Sequence, residues 1–250
     1  YAEGEHIEAF QKMAAALKRT GRPIVYSVSQ HLPRPWLWAP SVGANLWRTM
    51  CDLSANWGSI SLHGFTQNGL ERFAGPGHWN DLDMLQVGNG KLTENENRSH
   101  MSLWSILAAP LLAGNDLTKM DAKIHEILTN PEIIAVDQDL LGAQGRRVAQ
   151  EGPLEVWMKP LSDGSKAVGL FNRSDAQGFT AVRGVDELPC ARCAEVAGLT
   201  TPTLVPITVY FRDIGVPEMA TVRDLWARKN LGTFRRSYTT QVPRHGAAML

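Results

Sequence analysis

The sequence predicts an α/β protein built on a parallel sheet that gives way near residue 145 to an antiparallel β-sandwich. Three observations carry this. Residues 5–19, EHIEAFQKMAAALKR, place Ile7, Phe10, Met13, Ala14 and Leu17 at helical spacing, and the apolar run Ile24–Val28 follows closely. Strand-like and helix-like segments then alternate to about residue 142. Beyond it the pattern changes to short β-rich segments separated by turn residues such as Asp163-Gly164.

In chain order, Gly21 stops the first helix, Pro23 prevents its continuation, and Ile24–Val28 reads as a buried strand. Residues 30–40 carry three prolines and two tryptophans, which predicts an irregular loop with an aromatic wall, or a loop packed on its own rings. Asn45–Leu53, NLWRTMCDL, is the next expected strand, with Arg48 and Asp52 near its far end. Ile60–Phe73 reads as an amphipathic connector. The stretch GPGHWNDLDMLQVGN, residues 75–89, packs His78, Trp79, Asn80, Asp81 and Asp83 into six positions. As a strand, Asp81–Leu85 would point both carboxylates to one side; as a polar turn, Asn80 and Asp81 would bond nearby backbone. Asn97–Ala108 is an expected helix, Pro110–Ala113 a short buried strand, and Asp121–Leu128 a helix closed by Asn130-Pro131. Four strand-and-helix units make half of an eight-fold barrel, whose ligands collect at the carboxyl ends of the strands. The barrel half spans 1–145.

Residues 146–250 form the expected sandwich, through LEVWMKPL, SKAVGLFNRS, ITVYFRDI, TVRDLW, YTTQVP and GAAML. An irregular insertion at about 183–206 interrupts it.

Composition excludes several function classes. With 25 basic and 25 acidic residues, the formal charge of zero gives no reason to propose nucleic acid or an anionic membrane as partner. No apolar run is long enough to span a bilayer. Cys190 and Cys193 form a lone CxxC, a weak metal signal that reads better as two loop thiols or a local disulfide; Cys51 is expected to be buried. Asn97-Arg-Ser and Asn172-Arg-Ser satisfy the glycosylation triplet. The chain begins with Tyr1 and runs almost at once into a helix, which suggests a fragment or processed piece.

Taken in order, PIVYSVSQ, NLWRTMCD, GPGHWNDLDMLQVGN, HMSLWSILAAPLLAGNDL and AVDQDLLGAQG resemble the melibiase-type α-galactosidases of glycoside hydrolase family 27, and RDLWARKNLGTF with VPRHGAAML resembles their C-terminal domain. The resemblance implies a retaining exo-glycosidase that removes terminal α-D-galactosyl groups, with no cofactor and no metal. Two carboxylates would flank the anomeric carbon, about 5 to 5.5 Å apart. By the family pattern Asp52 is the acid/base, and Arg48 binds a sugar hydroxyl. Asp83 and Met84 hold the sugar, while Trp79, Asn80 and Asp81 support that strand end. His78 stands where the family often has Gly and reads as structural; a metal centre from His78, Asp81 and Asp83 has no further ligand to complete it. The family nucleophile, a Lys-x-Asp motif before a helix like the first one here, has no counterpart between Tyr1 and Ile24. The expectation is therefore the C-terminal half of a barrel, inactive alone, with an unpaired apolar edge at Ile24–Val28 that recruits a partner or another copy. Gln30 stands where the family often presents a specificity-setting acid, so a related α-N-acetylgalactosaminidase or β-L-arabinopyranosidase, or an inactive carbohydrate-binding remnant, stays open. The resemblance also favours a secreted or periplasmic protein over a cytoplasmic one.

Overall fold

The computed structural model describes residues 3–29, 33–174 and 204–250 of the chain. Gln30, the CxxC pair and most of the irregular stretch at 183–206 lie outside them. Only its end is described, where residues 204–206 already belong to a strand.

Helix α1 (Glu3–Arg19) lays Ile7 and Phe10 against a cluster of Val28, Trp36, Trp38, Val42, Trp47 and Leu70. Met13, expected on the same apolar face, is exposed, so the buried stripe is narrower than the spacing suggested. The following strand is shorter too: β1 is Ser27–Val28, while Ile24 and Val25 lie outside it and exposed. Its one strand neighbour among the described residues is β2 (Leu46–Arg48), and an apolar run without a second partner has no ladder to extend. The proline-rich stretch is more regular than expected. Pro35 opens a helical turn, α2 (Pro35–Trp38), followed by a 3-10 turn at Ala39–Val42. Trp36 and Trp38 are buried in the cluster, so they are core and not the wall of a loop.

Parallel strands β1, β2 and β3 (Trp79–Asp81) form the sheet in that order, with Arg48 beside Asp81. Between β2 and β3 runs α3 (Trp57–Phe65), capped by Asn56 accepting from the Ser59 amide. The amphipathic reading of 60–73 does not hold: the helix is buried nearly all round and stops at Phe65, with a 3-10 turn at Glu71–Phe73. It is enclosed by α4 (Glu94–Ile106) on one side and the sandwich on the other. Gly64 permits the close approach to α4, since a Cβ there would collide with the Leu103 side chain. A reciprocal capping box of Thr93 and Glu96 starts α4.

Pro110–Ala113 is not a buried strand. One parallel bridge, Leu85 to Ala113, is all that forms there, and Leu112 is exposed. After α5 (Ala122–Leu128), Asn130 and Pro131 begin a helix instead of ending one: Asn130 accepts from the Glu132 and Ile133 amides at the start of α6 (Pro131–Asp137).

The sandwich has a four-stranded sheet in which β4 (Arg146–Glu151), β5 (Leu154–Pro160), β6 (Lys166–Asn172) and β11 (Ala247–Met249) lie in the order β11-β6-β5-β4. Facing it are β7 (Leu204–Tyr210) paired with β10 (Ser237–Pro243), and the hairpin of β8 (Met219–Asp224) with β9 (Lys229–Arg235). One apolar cluster joins the two parts, with Leu82, Trp104 and Ile133 from the barrel side and Trp157, Phe171 and Met249 from the sandwich. Both glycosylation triplets are closed by this packing. Asn97 and Asn172 are buried, and their amides donate to the Thr93 and Val242 carbonyls.

Candidate functional site

The carboxyl ends of β2 and β3 bring Arg48, Asp52 and Asp83 together. Arg48 closes β2, and the backbone leaves the strand at once. The loop from Thr49 is tied to the neighbouring strand by the Thr49 amide donating to the Asp81 carbonyl at 2.9 Å. Asp52 therefore sits in a loop beyond the strand, not on it, and its side chain is 97% exposed. Cys51 beside it is half-buried and disulfide-bonded, unlike the buried thiol expected.

Asp81 and Asp83 do not share one side of a strand. Asp83 has φ +86°, which ends β3 and turns the chain aside, a conformation that costs a non-glycine residue about 1–3 kcal/mol and survives only when its surroundings enforce it. The enforcement is visible on both flanking peptides. The Asp83 amide donates to Asp81 Oδ1 at 2.8 Å, and its carbonyl accepts from Trp104 Nε1 at 2.9 Å. Asp81 is thus a local backbone acceptor, the second of the two readings its sequence allowed. Burial pushes its carboxyl above the ordinary value, opposed by the bond from the Asp83 amide and by the Arg48 charge.

The Asp83 carboxylate is buried and nearly saturated. Oδ2 takes Arg48 Nη2 at 2.7 Å and the Leu53 amide at 2.7 Å; Oδ1 takes the Met84 amide at 2.7 Å. A carboxylate offers about four lone-pair positions, so one remains, on Oδ1. Arg48 Nη2 reaches Asp52 Oδ1 at 3.3 Å, while its Nε is buried with no partner among the described residues. Met84 is half-exposed beside Asp83. Trp79 lies at the opposite end of β3, where a Cβ on Gly142 would come within 3.0 Å of its ring. His78 is exposed, and no three His, Cys, Asp or Glu side chains are grouped to hold a metal among the described residues.

Sequence reasoning missed the props behind these groups. His100 and Trp104 on α4 meet edge to face at 4.1 Å. Trp104 holds Asp83, and His100 Nε2 accepts from the Gln86 amide at 2.9 Å. Asn80 accepts from Trp47 Nε1 and donates to the Leu70 carbonyl and Gln144 Oε1, pinning β3 to β2 from beneath. The bonds of His100 and Trp104 reach 14 and 21 residues along the chain, so neither partner can be read from the sequence pattern, whereas Asn80 lies in the motif expected to support the strand end. A local signal is the spacing of His100 and Trp104, four residues apart on one face of α4.

The family model described as alpha galactosidase A matches residues 2–139, and that of the alpha galactosidase C-terminal beta sandwich domain matches 151–250. The chain belongs to the melibiase family. It is 37% identical over 245 residues to an alpha-galactosidase of Cyamopsis tetragonoloba, with 97% of this chain and 53% of the relative covered. Alpha-galactosidase 2 of Arabidopsis thaliana is 38% identical over 243 residues, covering 97% and 55%. Among solved structures, alpha-galactosidase I from Mortierella vinacea superposes with a TM-score of 0.80 at 28% identity, covering 98% of this chain and 62% of that one. This melibiase-family chain thus spans about half the length of the curated relatives it matches. Its partial barrel and antiparallel sandwich are the fold those neighbours share.

Proposed function

We propose that this chain carries the acid/base half of a retaining exo-glycosidase site for terminal α-D-galactosyl groups. The observation that supports this most directly is one guanidinium nitrogen, Arg48 Nη2, within 3.3 Å of two carboxylates in opposite environments. Asp52 stands in solvent, where it can protonate a leaving glycosidic oxygen and then take a proton from water. Asp83 is buried and fixed, with one lone pair left to accept a sugar hydroxyl, and Met84 supplies an apolar surface beside it. The orphaned Arg48 Nε is a donor for an oxygen of the substrate or of a second carboxylate.

A retaining reaction needs a nucleophilic carboxylate about 5 to 5.5 Å from the acid. Neither Asp81 nor Asp83 can serve. Asp83 is committed to three donors, and Asp81 is buried and turned to the backbone of its neighbour. The 250-residue chain alone is therefore expected to give no turnover of an aryl α-galactoside, while galactose shifts the backbone amide signals of Asp52, Asp83 and Met84. Turnover that disappears in Asp52→Asn would overturn the first expectation. Unmoved signals at saturating galactose would overturn the second. Parallel titrations with N-acetylgalactosamine and L-arabinose decide the preferred sugar.

A further inference from the structure

We propose that His63 is the positioning residue of the Asp52 loop, holding the Cys51 carbonyl through an N–H on Nε2 so that Arg48 keeps a donor for Asp52. The inference rests on the reading of Asp52 as the acid/base.

Arg48 Nη2 carries two hydrogens and faces three acceptors: the Cys51 carbonyl at 2.6 Å, Asp83 Oδ2 at 2.7 Å and Asp52 Oδ1 at 3.3 Å. One acceptor is in excess, and Asp52 is the most distant. A second donor on the Cys51 carbonyl relieves the competition. His63, buried on α3, puts Nε2 at 2.8 Å from that oxygen and Nδ1 at 2.8 Å from the Ser59 carbonyl. Both neighbours are acceptors, and a neutral ring has a single N–H to give.

The groups around the ring keep it neutral. Burial pushes its titration below the ordinary value and the Arg48 charge adds to this, outweighing the Cys51 and Ser59 carbonyls and the Asp83 charge; His100 on α4 also faces it. The choice of nitrogen follows from the backbone. The Ser59 carbonyl lies inside α3, where the helical repeat directs the residue-63 amide to it. Cys51 is in a loop, and its carbonyl shares its Arg48 Nη2 donor with Asp83 and Asp52, so it is the carbonyl that takes the ring proton. That carbonyl immediately precedes Asp52, and fixing its peptide fixes the start of the carboxylate-bearing residue.

The test uses the 15N-labelled chain with its Cys51 disulfide intact. Long-range proton–nitrogen spectra are expected to place the His63 proton on Nε2 from about pH 6 to 8. His63→Leu is expected to speed exchange of the Asp52 and Leu53 amides roughly tenfold, the effect of losing one buried hydrogen bond. His63→Gln, whose amide can donate to the same carbonyl, should return them to within about threefold of the parent. A proton found on Nδ1, exchange unchanged in His63→Leu, or no rescue by Gln overturns the proposal. Should the Leu variant not fold, the parent tautomer and the Gln variant still decide it. Galactose titration of the parent chain is read separately, so a failed sugar site is distinguished from a failed role for His63.

Discussion

His100 has no access to solvent, and its Nε2 accepts the Gln86 amide, so the ring is neutral with its proton on Nδ1. Burial drives its titration from the ordinary value down to about 3, with the neighbouring His63 adding a smaller push. The sign follows: an unfolded chain binds this proton below about pH 6.5 and the folded chain does not until about 3. The contribution of His100 to stability is therefore complete above the ordinary value and is lost as pH falls from there toward 3. His100→Gln keeps an acceptor for the Gln86 amide and removes the titration. Urea midpoints at pH 7 and pH 4.5 should differ less in the variant than in the parent; an equal difference would show that His100 is not a source of acid sensitivity. The same residue scale explains what the sequence could not say about Asp83. A pattern of alternating acids and apolar residues reads as a strand, but a residue with φ +86° needs the Asp81 carboxylate and the Trp104 indole to hold it; the Asp81 bond is the local one the sequence offered as an alternative, and the Trp104 bond has no spacing signature.

Among the elements, β5 adds a buried cation to the apolar contact between the sandwich and the barrel. Lys159 has no exposed surface, and its Nζ donates to the Ser105 carbonyl at the end of α4 and to the Asp137 carbonyl at the end of α6. An ammonium at two helix C-termini meets carbonyls of the last turn and two negative dipole ends. Burial raises the Asp137 carboxyl and lowers the Lys159 ammonium, each opposed by the charge of the other, and Asp137 Oδ1 has no hydrogen-bond partner among the described residues. Removing one partner leaves the other buried and uncompensated. Lys159→Met is expected to cost about 3 kcal/mol, and adding Asp137→Asn should recover about 1 kcal/mol or more. Chemical denaturation of the two single variants and the double variant gives the coupling; a Lys159→Met chain as stable as the parent would refute it. Where the physics was local, the elements were legible. The 3.6-residue spacing of α1 and the β-rich runs of β5, β6 and β10 needed no distant partner. The lengths of β1 and β2, the burial of α3 and the helix at Pro131 depend on what packs against them. At Asn130-Pro131 a start signal reads equally as a stop, because Asn and Pro fit either side of a helix boundary.

At the scale of the molecule, the two parts share one apolar cluster, so the sandwich is part of the support of the site. Trp157 and Phe171 pack on Phe65 of the helix that presents His63 and Ser59. The opposite side of the sheet is different. Val25, just before β1, is 72% exposed and Met13 on α1 is 52% exposed, and β1 offers a free edge among the described residues. A sheet edge flanked by apolar side chains is a template for pairing with another strand, and its apolar surface is the driving force. The purified 250-residue chain is accordingly expected to associate above micromolar concentrations and to bind a dye that reports exposed apolar surface. Val25→Lys places a charge beside the free edge at a position that contributes no core packing, so it should shift light-scattering mass toward the monomer without lowering the urea midpoint. If the parent chain is monomeric at about 100 μM and the dye stays dark, the open edge is covered by contacts within the chain, and the half-barrel is a more self-sufficient unit than its exposed side chains indicate.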